Sequence, residues 1–181
     1  MKHLRKLLFP FSIIYYIVTL ARNYFFDRGW LKSKSYDFPV IGIGNLSTGG
    51  TGKSPMTEYI LRLLKDRYLM ATLSRGYGRK TTGFRAVDSK DNADQVGDEP
   101  LQFAKKFPDV QIAVNEDRQE GITLLQKKAS KPDIIVLDDV FQHRKVTPGF
   151  LILLTTYESP FYNDFLLPAG NLRESRKGVN R

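Results

Sequence analysis

The stretch Gly44-Asn45-Leu46-Ser47-Thr48-Gly49-Gly50-Thr51-Gly52-Lys53-Ser54-Pro55 joins an apolar run to a helical pattern, and its residue types suit an anion. Glycines let the backbone turn tightly and aim successive N–H groups at one point, while the following helix adds the partial positive charge of its N-terminus. In such a loop Thr48, Gly49, Gly50, Thr51 and Gly52 cradle phosphates, Lys53 reaches the β- and γ-phosphates of ATP, and the Ser54 hydroxyl faces Mg²⁺. Pro55 falls near the helix start, where a missing N–H is harmless. The pattern G-x-x-x-x-G-K-[ST] fails only at its first position, which is Ser47.

Phosphoryl chemistry also needs carboxylates. The run Ile134-Ile135-Val136-Leu137 ends in Asp138-Asp139, the form of a strand that delivers a metal ligand to a phosphate loop. Adjacent aspartates on an extended chain point to opposite sides, so the two divide the work between the metal and its surroundings. A second pair, Asp98-Glu99, follows Gly97 and opens a helical pattern. It reads either as a helix cap with a favourable first-turn acid or as the source of a base for an attacking hydroxyl. Arg75, in Ser74-Arg75-Gly76-Tyr77-Gly78, follows another strand and is placed to clamp a phosphate or reach a substrate. Arg118 and Arg173 are looser candidates of the same kind.

The elements that must position these groups alternate. Val40 to Ile43, Leu69 to Leu73, Gln111 to Val114, Ile134 to Leu137 and Phe150 to Leu154 read as buried strands; Lys53 to Arg67, Gly97 to Phe107 and Glu116 to Ala129 carry apolar residues at helical spacing. That alternation predicts an α/β fold, a parallel sheet flanked by helices with ligands at the carboxyl ends of its strands. The segments Ser74 to Asp94 and Thr155 to Arg181 read as long loops rich in functional residue types.

Residues 1–30 differ from the rest. Lys2, Arg5 and Lys6 precede a nearly continuous apolar and aromatic run from Leu7 to Leu20, closed by Arg22. As a helix that run spans about 21 Å at about 1.5 Å per residue, short of a hydrocarbon core of about 30 Å. The expectation is a membrane-associating helix lying at the interface or weakly inserted; a buried core helix is the alternative, and a secretory leader does not suit a chain that needs cytoplasmic ATP. The remaining residues, 31–181, form the phosphate-loop lobe. A net charge of +9, from 28 Lys and Arg against 19 Asp and Glu, favours an anionic partner. With no cysteine and only His3 and His143, thiolate metal sites, cysteine nucleophiles and a serine–histidine triad lack material. The cations are spread along the chain and not gathered with aromatics, so no nucleic-acid partner is expected. A nucleic-acid-stimulated motor and a non-catalytic membrane-associated nucleotide binder are the competing functions.

Five motifs together resemble the tetraacyldisaccharide 4'-kinase family: Gly44-Asn45-Leu46-Ser47 through Gly52-Lys53-Ser54-Pro55, Ser74-Arg75-Gly76-Tyr77-Gly78, Val96-Gly97-Asp98-Glu99-Pro100, Asp138-Asp139-Val140-Phe141-Gln142-His143-Arg144, and Leu166-Leu167-Pro168-Ala169-Gly170-Asn171-Leu172-Arg173-Glu174. The family's loop likewise lacks the first glycine, whereas its aspartate motif has glycine where this chain has Val140. The resemblance implies a P-loop NTPase-like fold, ATP and Mg²⁺ as cofactors, and transfer of the γ-phosphoryl group to the 4'-hydroxyl of a tetraacylated glucosamine disaccharide 1-phosphate at the cytoplasmic face of the bacterial inner membrane. It makes Asp98 the general base, Lys53 the phosphate clamp, Ser54, Glu99, Asp138 and Asp139 the metal-facing group, and Asn45, Arg75, Gln142 and Arg173 substrate contacts. An anionic membrane surface is the implied docking partner of the N-terminal helix. Family members are longer and two-lobed, with a histidine in the second lobe that assists the aspartate, so this chain is expected to be a fragment.

Overall fold

A computed structural model describes residues 5–180. Lys2 and His3, the side chain of Lys6, and Arg181 lie outside the described residues. After the helix α1 (Phe9–Asp27), the chain runs β1 (Val40–Asn45), α2 (Lys53–Leu64), β2 (Met70–Ser74), β3 (Arg85–Ala86), α3 (Ala93–Val96), α4 (Asp98–Lys106), β4 (Gln111–Val114), α5 (Arg118–Gln126), β5 (Ile134–Leu137) and β6 (Phe150–Leu154). The strands form one sheet in the order β3-β4-β2-β5-β1-β6.

β1, β2, β4, β5 and β6 pair in parallel, as their short, mostly apolar runs predict. Phe150 to Leu154, expected to be a buried strand, is instead the edge strand β6, exposed at Phe150 and half-buried beyond it, because only one neighbour covers it. Side chains alternate across the sheet: Ile135 and Leu137 join Val40, Leu73, Ile122 and Leu125 on one face, while Ile134 and Val136 join Ile43, Leu61, Phe103 and Phe107 on the other. Each buried side chain of this size contributes about 1.5–3 kcal/mol by leaving water. The result is a P-loop NTPase-like α/β fold, with one correction to an all-parallel sheet. The segment expected to be a loop from Ser74 to Asp94 folds back so that β3 pairs antiparallel with β4. It then starts α3, closed by reciprocal bonds between Asn92 and Gln95. Two residues of strand and four of helix are too short to leave a periodic signal.

The N-terminal helix forms, but not as a core element. Of its residues only Ser12 is buried; Phe11, Ile14, Ile17 and Val18 are each more than half exposed. Its polar side chains face the protein instead. Ser12 Oγ donates to Leu166 O at 3.0 Å, Tyr15 Oη to Arg173 O at 2.7 Å, and Asn23 Nδ2 to Glu174 Oε2 at 3.0 Å. Positions 12, 15 and 23 fall on one side of the helix, so a polar stripe docks and apolar faces point outward, while Thr19 between them bonds back to the helix carbonyls of Tyr15 and Tyr16. No helix among the described residues is long and apolar enough to cross a membrane.

Candidate active site

The phosphate loop is shaped by two left-handed glycines, Gly49 at φ 105° and Gly52 at φ 87°, the latter forming the N-cap from which α2 starts at Lys53. Ser47 has no positive φ, so the position that departs from the usual pattern needs no glycine; it bridges to Leu172 instead. Thr48 N–H donates to Asn171 O at 2.8 Å and Arg173 N–H to Leu46 O at 2.7 Å, lacing the loop to the segment at 166–174. Asn45 lies fully buried behind the loop, donating to Thr51 Oγ1 at 2.7 Å, and its carbonyl accepts from Gln142 Nε2 at 2.8 Å.

At the carboxyl ends of β1, β2 and β5 a cavity of about 700 Å³ opens. It is lined by Thr48, Gly49 and Lys53 from the loop, Arg75 and Tyr77 after β2, Asp98 and Glu99 at the start of α4, Asp138 and Asp139 after β5, and by Arg118 and Arg173. Six separate stretches of sequence therefore reach one place, as a parallel sheet requires of its loops. Asn45 and Gln142, implied as substrate contacts, are not in the lining; their side chains hold the loop from behind.

The two aspartates face different surroundings. Asp138 is 6% exposed, its Oδ1 has no partner, and burial, with the nearby Glu99 and Asp139 carboxylates, raises its pKa to about 7. Asp139 turns away at φ 47° and accepts from Arg173 at 2.7 Å, with Lys53 Nζ at 3.8 Å. Because the left-handed residue is Asp139, the next position needs no glycine, and Val140 donates its N–H to Ile43 O at 3.1 Å with its side chain buried.

Asp98 is the first residue of α4, and Gly97 is its N-cap without any side-chain cap bond, so the helix-cap reading of Asp98 does not hold. Asp98 is exposed to the cavity, while Glu99 accepts a hydrogen bond from the Ser54 hydroxyl. Arg118, a loose candidate by sequence, is 3% exposed and donates to Asn115 O at 2.6 Å and Asp138 O at 3.3 Å. Burial lowers its pKa to about 10, which leaves it a cation beneath the carboxylates. Its opening position on a helix gave no sequence signal of burial. His143 is held neutral, its pKa lowered to about 4 by burial and then by Arg118, and it does not line the cavity.

The donor set fits a nucleotide and its metal. At Gly49, Gly50 and Gly52 a side-chain carbon would meet nothing within 4 Å, so the cradle is open to an anion. Ser54, Glu99 and the unpartnered Asp138 oxygen would hold a divalent ion. Among the described residues no three His, Asp or Glu side chains form a metal site by themselves. That suits Mg²⁺, which takes one or two carboxylates and fills its remaining positions with phosphate oxygens and water.

The family model for Tetraacyldisaccharide-1-P 4'-kinase matches residues 4–181. The tetraacyldisaccharide 4'-kinase of Flavobacterium johnsoniae is 58% identical over 181 residues, all of this chain and 53% of that protein. The same-named protein of Bacteroides thetaiotaomicron is 52% identical over 179 residues, 98% of this chain and 47% of that protein. The crystal structure of LpxK from Aquifex aeolicus in complex with ATP matches with a TM-score of 0.90 and 43% identity, over 98% of this chain and 56% of that one. The chain thus spans about half the length of the curated relatives it matches. With the phosphate loop, both acidic pairs and the Leu166–Glu174 segment all meeting at one cavity, the chain belongs to the tetraacyldisaccharide-1-P 4'-kinase family.

Proposed function

We propose that this chain is the nucleotide-binding part of a kinase that moves the γ-phosphoryl group of ATP to the 4'-hydroxyl of a tetraacyldisaccharide 1-phosphate, giving a precursor of lipid A. The observation that carries the reading is the convergence of Lys53, Asp138 and Asp98 on one cavity above an open glycine cradle. Bound Mg²⁺ supplies charge neutralisation on the transferred phosphoryl group. Lys53 and the loop N–H groups bind the phosphates and orient them for in-line attack. Asp98, exposed at the wall and free of helix capping, accepts the proton of the sugar hydroxyl at its carboxylate. Asp139 keeps Lys53 and Arg173 pointed into the cavity before substrates arrive. Arg75 and Arg173 meet anionic groups of the acceptor or the nucleotide. Asn45 and Gln142 act on the acceptor only through the loop they brace.

The inside-out α1 supports a membrane surface as the place of work, because a stripe of Phe11, Ile14 and Val18 left in water is costly and a bilayer interface with anionic lipids would cover it. The cytoplasmic face of the bacterial inner membrane is the location consistent with ATP. Transfer of labelled phosphate from γ-labelled ATP to the disaccharide by the full-length protein tests the function. Product at the 4'-position is expected with the lipid and none with DNA or RNA; ATP hydrolysis stimulated only by nucleic acid overturns it.

A further inference from the structure

The phosphate loop is held from outside itself. A side-chain carbon at Gly49, Gly50 or Gly52 would meet nothing within 4 Å, so the cradle supplies no packing of its own. Its direction is set by hydrogen bonds, from Asn45 behind it and from residues 166–174 beside it, where Thr48 N–H meets Asn171 O and Arg173 N–H meets Leu46 O. That flanking segment holds only isolated bridges and no strand or helix. Leu172, buried with Leu46 and Phe141, seats it, but apolar packing is non-directional, and the segment's angle depends on what its polar groups lean on.

They lean on α1. Ser12 Oγ accepts from Ala169 N–H at 3.1 Å while donating to Leu166 O, so one buried hydroxyl clasps both ends of a turn. Arg5, just before the helix, donates to Pro168 O at 3.1 Å, to Asn171 Oδ1 at 2.9 Å and to Gly170 O. Tyr15 reaches the phosphate loop most directly. Its hydroxyl donates to the carbonyl of Arg173, whose N–H holds the loop and whose guanidinium holds Asp139, 3.8 Å from Lys53 Nζ. Burial raises the Tyr15 pKa above its ordinary 10.0, so the hydroxyl keeps the proton it donates through neutral pH.

We infer that Tyr15, supported by Ser12, is a positioning residue for the phosphate loop: from α1 it fixes the Arg173 backbone and, through it, the aim of the loop and of the Asp139–Lys53 pair. The inference rests on the phosphoryl-transfer reading above. In-line transfer tolerates little displacement, and a misplacement of about 1 Å can cost about a hundredfold in rate. α1 thus has two working sides, a polar one that braces the nucleotide site and an apolar one turned outward. A hydroxyl removed from the docked side leaves Ile14, Ile17 and Val18 as they were.

The test is the MgATP affinity of the full-length protein in detergent micelles without acceptor, followed by steady-state kinetics with tetraacyldisaccharide 1-phosphate. Tyr15→Phe keeps the ring and loses one hydrogen bond; it raises the Kd for MgATP about fivefold and lowers kcat/KM for ATP at least as much. Ser12→Ala shifts both in the same direction and decides the matter where Tyr15→Phe fails to fold. Thr19→Ala is the control, since this hydroxyl bonds to the helix carbonyls of Tyr15 and Tyr16, and its Kd stays within about twofold of wild type. Three results overturn the inference: an unchanged Kd in Tyr15→Phe, even with a lowered melting temperature; a rise in Thr19→Ala as large as in Tyr15→Phe; or a parallel loss of binding to phosphatidylglycerol vesicles, which assigns the effect to a loosened helix. Wild-type protein that binds MgATP yet transfers nothing to the disaccharide defeats the phosphoryl-transfer reading, while the Kd comparison, read without transfer, still decides the inference.

Discussion

Arg173 donates to Asp139 at 2.7 Å, joining the turn after β5 to the segment that laces the phosphate loop. Asp139 also stands 3.8 Å from Lys53 Nζ, so one carboxylate holds two cations in place at the cavity. Lys53 and Arg173 are 19% and 28% exposed, buried enough for the pairs to orient them and open enough for a phosphate to take them over.

Lys53→Ala removes the cation proposed to clamp the phosphates and leaves the core untouched. Phosphoryl transfer should fall by about two to three powers of ten with the melting temperature within about 3 °C of wild type. Transfer rates decide it; undiminished turnover would rule out the phosphate-loop assignment.

Asp98 and Glu99 are adjacent yet differ in surroundings, Asp98 open to the cavity and Glu99 bonded to the Ser54 hydroxyl. Asp98→Asn should depress kcat by about two to four powers of ten with little change in nucleotide affinity. Glu99→Gln should instead raise the Mg²⁺ concentration needed for half-maximal rate, and excess metal should partly restore it. Metal titrations of the two variants that superimpose would show that the pair does not divide in this way.

Asp138 gives a pH dependence whose sign follows from its raised pKa. The folded state binds a proton at this carboxyl that the unfolded chain releases near 3.8, so this contribution to stability is complete below that pH and is lost as pH rises through about 7. Without metal, Asp138→Asn should therefore gain stability over wild type between pH 5 and pH 8, by on the order of 1–3 kcal/mol at the upper end. Denaturant melts at the two pH values check this; a gain that is the same at both would contradict it. Activity should be lost in the same variant.

Ile14→Ser combined with Val18→Ser tests the outward face of α1 without disturbing its docked polar stripe. Binding to vesicles of phosphatidylglycerol and phosphatidylethanolamine should weaken about tenfold or more while the melting temperature holds. Removing residues 1–30 is a poorer test, because Ser12 and Tyr15 hold residues 166–173 and the deletion strips those contacts as well. Equal vesicle binding by the double variant would place the membrane contact elsewhere.

Much of the framework was legible because apolar runs leave a strong mark: Ile134–Leu137, buried throughout, and the edge strand Phe150–Leu154 have the bounds that their apolar runs predict. The cavity's acidic and basic groups were legible too, because they stand at the ends of apolar runs or beside glycines that mark sharp turns. What escaped depends on tertiary contact. Asn45 reads as a polar residue beside a phosphate loop, and only the fold shows it fully buried behind that loop, bonded to Thr51. Arg118 reads only as a loose candidate for a phosphate or substrate contact and proves nearly inaccessible, because its helix starts against the turn that carries Asp138. The orientation of α1 runs opposite to the rule that apolar faces turn inward, a rule that assumes water on the other side. Tyr77 was visible only as the centre of a Gly-Tyr-Gly triplet, a signal of turn geometry with no hint of what the ring would face.

Val140 and Gly42 constrain each other across two strands. A side-chain carbon at Gly42 of β1 would stand 2.8 Å from Val140 Cγ1, 2.8 Å from Pro148 Cγ and 2.9 Å from Leu151 Cδ1, so position 42 is closed from three sides. Any side chain there would press on the turn that carries Asp139. A chimera that joins this β5 turn to a β1 strand with a larger residue at 42 should therefore misplace Asp139 even if every residue of its cavity is kept.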